Sequence, residues 1–104
     1  MCTRYVSPDQ QAIEREWRPK SAHTWAGGGV YPRSPGAFQR VAGNTTELIV
    51  GCWGLTPSFA TTADICFSTQ NARFEEVPTK ASYKRPWSNG QRCIIPAASF
   101  DEPC

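Results

Sequence analysis

The chain has one histidine and one methionine in 104 residues, and no two of its five cysteines stand at CxxC spacing. Without such a spacing and with His23 alone, a tetrahedral zinc site is not expected, and no cofactor is called for. Charge of one sign is also scarce. Eleven Lys and Arg against nine Asp and Glu leave a net charge of +2, so an anion site has to be a local patch rather than a global basic field. No stretch approaches the ~20 apolar residues of a membrane-spanning helix. Nor does an apolar leader core follow Met1-Cys2-Thr3-Arg4. The expectation is a reduced, cytoplasmic, soluble protein without membrane contact. Repeats and low-complexity tracts are missing as well, which excludes solenoids. What is abundant is Gly and Pro, 8 and 9 residues, beside a hydrophobic content of 39%. That balance favours a loop-rich α+β or β fold over a helix bundle. The length suits one domain or part of one.

Along the chain, residues 3–6 read as a short strand. Ser7-Pro8-Asp9-Gln10 predicts a helix start, with Ser7 as cap, Pro8 in the first turn and Gln10 closing a capping box. The helix then runs to about Trp17, with Ile13 and Trp17 one turn apart on one face and Pro19 ending it. Residues 22–36 read as loop. Gly27-Gly28-Gly29 lacks the phosphate-loop pattern and is read as plain loop. Residues 37–42 and 47–53 are predicted strands joined through Gly43-Asn44, a hairpin signal. Leu48, Val50 and Cys52 share one face and Ile49, Gly51 and Trp53 the other; such a strand belongs inside a covered sheet. Further short strands are expected over 65–67, 92–96 and 99–102, and a helical turn over 82–87.

Cys2 carries the most distinctive chemistry. Once Met1 is trimmed it offers an α-amine and a thiol on neighbouring carbons, which no internal cysteine can. The amine can condense with an aldehyde to an imine, and the thiolate can then close a five-membered thiazolidine. The reactive forms are the neutral amine and the thiolate. Two other segments concentrate polar groups. Asn71-Ala72-Arg73-Phe74-Glu75 sets an amide, a guanidinium and a carboxylate within five residues, after a predicted strand and before a turn. The run from Arg92 to Glu102 ends on a carboxylate.

Taken in order, these segments resemble the SRAP family (SOS response-associated peptidase, or abasic-site processing proteins). Met1-Cys2-Thr3-Arg4 is similar to that family's MCGR start and Ser34-Pro35-Gly36 to its APG turn. Cys52-Trp53-Gly54-Leu55 with Pro57 is similar to its WG-x-x-P segment, and Asn71-Ala72-Arg73-x-Glu75 to its central signature. Arg85-Pro86-Trp87 and the run from Arg92 to Glu102 complete the likeness, which covers essentially the whole chain.

The resemblance implies a mostly antiparallel pseudo-barrel sheet with flanking short helices. It also implies a groove for single-stranded DNA containing abasic sites, and an intracellular protein that is nucleoid-associated when bound. Cys2 would be the nucleophile that crosslinks to the ring-opened abasic aldehyde. Asn71 would hydrogen-bond around the thiazolidine, and Glu102 would act as acid/base. Arg4 and Arg73 would contact phosphates, Pro35 would shape the contact near the lesion, and Phe59 would stack on a base. Family members run to roughly twice this length, so residues 1–104 are expected to be the N-terminal part of one domain. The remainder normally supplies a catalytic histidine, a position His23 does not match. Departures are also present: Thr3 replaces the usual glycine, and Phe59-Ala60 stands where some members carry paired tryptophans. The alternatives are a cysteine peptidase whose minimal activity removes its own Met1, and an inactive truncated remnant.

Overall fold

The computed structural model describes residues 2–60 and 69–102. The chain divides into two compact units. One comprises Met1–Trp53 and Cys93–Cys104, the other Gly54–Arg92.

The first unit is built on two three-stranded sheets. In one, β1 (Arg4–Ser7) lies between β3 (Gly28–Val30) and β6 (Ser99–Asp101), antiparallel to both. In the other, β5 (Thr45–Cys52) lies between β4 (Pro35–Ala42) and the two-residue β2 (Lys20–Ser21). The β4–β5 ladder is antiparallel from Pro35 opposite Cys52 to Ala42 opposite Thr45, and β2 runs parallel to β5. The expected hairpin through Gly43-Asn44 is present, with Gly43 at φ 62°, the positive value that a two-residue primed turn requires. With three of four ladders antiparallel and few short helices, the α+β class expected from the sequence holds.

Helix α1 (Gln10–Trp17) starts later than its sequence suggests. Its N-cap is Asp9, whose Oδ1 accepts from the Ala12 N–H at 2.9 Å. Ser7 is unavailable because it still belongs to the β1 ladder, opposite Gly28. Its hydroxyl donates to the Pro8 carbonyl and accepts from the Trp25 indole at 2.8 Å. The Gln10 side chain closes no capping box; it bridges Glu14 and the Trp25 backbone. At the other end Arg18 adopts the left-handed conformation, φ 53°, and its N–H returns to the Glu14 carbonyl. Ile13 is fully buried against Ala37 and Leu48, with Trp25 packed beside them. Trp17, expected on the same buried face, is 45% exposed.

Further expectations are corrected. Gly28 and Gly29 are strand, not loop: they pair with Ser7 and Val6 of β1, and the Arg4 guanidinium lies over Gly29, where a Cβ would come 3.1 Å from Nη2. The strand over 92–96 reduces to one bridge, in which Gln39 and Ile94 exchange backbone hydrogen bonds of 2.8 and 2.9 Å. The last strand, β6, has β1 as its neighbour and exposes all three residues, so among the described residues it is an edge strand. On β5 only Leu48 is fully buried; Ile49 and Val50 are half-buried. The strand expected over 65–67 lies outside the described residues.

The second unit is mostly turns. The Val77 N–H reaches the Arg73 carbonyl, the Lys80 N–H that of Glu76, and the Lys84 N–H that of Lys80. This string of helical turns ends in α2 (Lys84–Ser88), close to the turn expected over 82–87.

Candidate functional site

In the first unit, the ladder between β1 and β6 brings together residues that the sequence singled out. Arg4 stands opposite Asp101, and the Thr3 N–H continues the ladder to the Asp101 carbonyl at 3.1 Å. Cys2 and Glu102 therefore flank the same open end of the ladder, on adjacent segments that are remote in sequence. Cys2 is half-buried, with its Sγ 3.5 Å from the Arg4 carbonyl oxygen. Glu102 is exposed.

Behind this end sits Tyr5, buried at 4% exposure and edge-on to Trp53 with ring centroids 5.0 Å apart. Its hydroxyl lies so close to Gly36 that a Cβ there would approach it to 2.5 Å. Burial, and after it the Cys2 and Cys93 sulfurs, push the Tyr5 phenol above its ordinary range. Cys93 is exposed as a residue, yet protein atoms around its sulfur hold the thiol above the usual value. Pro35, next to Gly36, opens β4 opposite Cys52 and is exposed.

Arg4 is held rather than loose. Its Nε donates to the Tyr31 hydroxyl at 3.2 Å, its Nη1 to Asp101 Oδ2 at 3.3 Å, and its guanidinium lies 5.6 Å from the Tyr31 ring centre. The hydrogen bond to Tyr31, then that to Asp101, raise its pKa further. An anion approaching Arg4 has to share it with Asp101. Tyr31 is fixed in turn: its N–H and carbonyl both bond the Ser34 hydroxyl, at 2.8 and 2.7 Å. Arg33, between them at φ 69°, donates its N–H to the Trp53 carbonyl at 2.7 Å.

The second unit holds Phe59, Asn71 and Arg73. Asn71 is half-buried, and its carbonyl accepts from the Tyr83 hydroxyl at 2.8 Å. Arg73 is exposed, while its carbonyl accepts the N–H groups of Glu76 and Val77. The segment thus leads into a turn, as expected. Phe59 is 58% exposed, just after the buried Pro57.

Sequence reasoning missed Tyr5, Tyr31 and Asp101. Tyr5 had a readable signal, an aromatic within a predicted strand. Tyr31 and Asp101 had none, because they meet Arg4 only through the sheet. Among the described residues, no three His, Cys, Asp or Glu side chains cluster as metal ligands. His23 is occupied in the fold, its Nδ1 accepting from the Val50 N–H at 2.8 Å. No helix of the described residues is long and apolar enough to cross a membrane.

Comparison with known proteins gives this geometry a context. The chain is 33% identical over 69 residues to the abasic site processing protein HMCES of Mus musculus, covering 62% of this chain and 20% of that protein. It is 44% identical over 50 residues to the abasic site processing protein YoaM of Bacillus subtilis, covering 48% and 22%. A crystal structure of a protein from Bordetella bronchiseptica superposes with a TM-score of 0.81 at 27% identity, over 98% of this chain and 51% of that one. The matches thus span about a fifth of the two curated relatives and half of the solved chain. The model of the SOS response associated peptidase family matches residues 1–103. The chain belongs to the SRAP family.

Proposed function

We propose that this chain processes abasic sites in single-stranded DNA by forming a covalent thiazolidine through Cys2, as part of the response to DNA damage. The reading is supported by family membership, by two relatives named for abasic site processing, and above all by the β1–β6 ladder, which puts Cys2 and Glu102 at one end of the same pair of strands. Removal of Met1 frees the Cys2 amine. The amine adds to the C1 aldehyde of the ring-opened sugar, and the carbinolamine loses water to an imine. The Cys2 sulfur then adds to the imine carbon, and the nitrogen takes up a proton. The balance is one aldehyde and one aminothiol giving one thiazolidine and one water, with no oxidant, reductant or metal. Glu102 moves the protons: it helps open the sugar and assists departure of the hydroxyl. Asn71 hydrogen-bonds around the ring formed, Arg73 and Arg4 hold phosphates, Pro35 shapes the approach to the lesion, and Phe59 stacks on a neighbouring base.

The test is a denaturing gel of the Met1-free protein with a single-stranded oligonucleotide carrying one abasic site. A heat-stable shifted band is expected from the parent protein, and none from Cys2→Ala or Cys2→Ser. Glu102→Gln is expected to slow the band by about 10²–10⁴-fold. A stable band from Cys2→Ala contradicts the proposal.

A further inference from the structure

Phe74 is the most exposed large apolar side chain among the described residues, at 78%. It meets Trp87 edge-on, with ring centroids 6.4 Å apart and planes at 90°. The Arg92 guanidinium lies over the Trp87 ring, 4.0 Å from its centre. It is anchored there by Nη1 hydrogen bonds to the Trp87 and Gln91 carbonyls at 3.3 and 2.9 Å. Beside this stack opens a cleft of about 170 Å³ lined by Leu55, Val77, Tyr83, Pro86, Trp87 and Arg92, among others. Contiguous exposed aromatic surface beside a cleft is the kind of surface that takes a planar or apolar partner.

Charge points to what covers it. The second unit, Gly54–Arg92, carries five Lys and Arg against three Asp and Glu, an excess of two. That excess equals the net charge of the whole chain, so the first unit is neutral. Glu76 and Lys80 pair with each other at 3.6 Å, which takes one charge of each sign and leaves the excess at two. A flat aromatic face, a preset guanidinium and a surplus of cations fit a partner that alternates planar bases with negative phosphates.

We propose that Phe74, Trp87 and Arg92 form a stacking platform for one nucleobase of single-stranded DNA, apart from the abasic residue itself. The base lies on the open face of Phe74, Trp87 bounds it, and Arg92 presents its free N–H groups to the adjoining phosphate. This rests on the reading that the chain meets single-stranded DNA, and it adds a contact that does not depend on the lesion.

The experiment is equilibrium binding of the parent protein to an undamaged thymidine oligonucleotide, with Cys2→Ala as background so that no covalent step intervenes. Phe74→Ala is expected to weaken binding about five- to a hundredfold, the range for one lost base–aromatic stack, and Phe74→Tyr to keep most of it. Because the residue is exposed, its thermal melt is expected to stay unchanged. The slope of affinity against salt is expected to stay as well, since stacking releases no counterions, whereas Arg92→Ala lowers it. Phe74→Ala binding within twofold of the parent overturns the platform, as does an equal loss on duplex DNA. The outcomes separate from those of the crosslinking gel. Abasic-site adducts without Phe74-dependent binding overturn the platform alone. Phe74-dependent binding without adducts overturns the thiazolidine reading and supports the platform.

Discussion

Tyr5 and Gly36 show how tightly a few atoms behind Cys2 are fitted. The missing Cβ of Gly36 leaves room for the Tyr5 hydroxyl, which a methyl group would approach to 2.5 Å. Gly36→Ala is therefore expected to destabilise the fold by about 1–3 kcal/mol, the usual cost of overpacking, in urea melts. Adding Tyr5→Phe removes the clashing oxygen and is expected to recover part of that loss, so the two changes should be non-additive. No recovery would place the strain elsewhere. Tyr5 also sets an alkaline limit. Its phenol is raised from 10.0 in the folded state, by burial first and the Cys2 and Cys93 sulfurs after. A raised folded value favours the protonated form, so this contribution is complete below about pH 10 and is lost as pH rises through the folded value. Stability measured from pH 9 to 12 should fall less steeply in Tyr5→Phe than in the parent.

Helix α1 and its surroundings mark what the sequence made legible and what it did not. A helix between Ser7 and Pro19 is readable from Pro8, the cap-competent residues and Pro19. Which residue caps it is not, because Ser7 and Asp9 are both competent and the choice falls to the β1–β3 ladder, which retains Ser7. Asp9→Ala is expected to cost ~1 kcal/mol, and a Ser7→Ala loss should not report on capping. The same tertiary effect hid β3: a run of glycines has no strand propensity and becomes strand only because β1 and Arg4 lie against it. By contrast the β4–β5 hairpin, with its Gly43-Asn44 turn, was legible from local signals alone. Of the candidate site, Cys2 was singled out by its chemistry, and the Asn71 and Glu102 segments by their pattern. The Arg4–Tyr31–Asp101 contact was not, since its partners are distant in sequence. Glu14 ties α1 to β2. Its carboxylate accepts from Ser21 at 2.6 Å and Gln10 at 2.9 Å, which hold its pKa below the ordinary value, with the Ser21 bond the larger cause. A lowered folded value means stability present above the ordinary range and lost as pH falls through the folded value. Glu14→Gln should accordingly flatten the acid limb below about pH 4 in a pH-dependent melt; an unchanged limb would remove Glu14 from the account.

Among the described residues, part of the exposed apolar surface lies on β6 and the segment that leads into it. Ile94, Ile95 and Phe100 are 58%, 42% and 63% exposed, and β6 offers an open strand edge among the described residues. Such an edge favours pairing with another chain. We take residues 1–104 as the N-terminal part of a larger SRAP domain, a reading supported by the 51% coverage of the solved relative. On that reading, sedimentation should show concentration-dependent self-association, and supplying the C-terminal half of a related protein should suppress it and speed crosslinking. A monomer at all concentrations, reacting at the full rate of a complete family member, would contradict it. The central claim, that Cys2 is the linking residue, is tested most directly by mapping the crosslink. The adduct with abasic single-stranded DNA is digested with nuclease and trypsin, and the peptides are sequenced by mass spectrometry. The sugar remnant should fall on Cys2-Thr3-Arg4, with Met1 gone and neither the amine nor the thiol of Cys2 open to alkylation. A remnant on a lysine, or on Cys52 or Cys93, with Cys2 still alkylatable, would contradict the account.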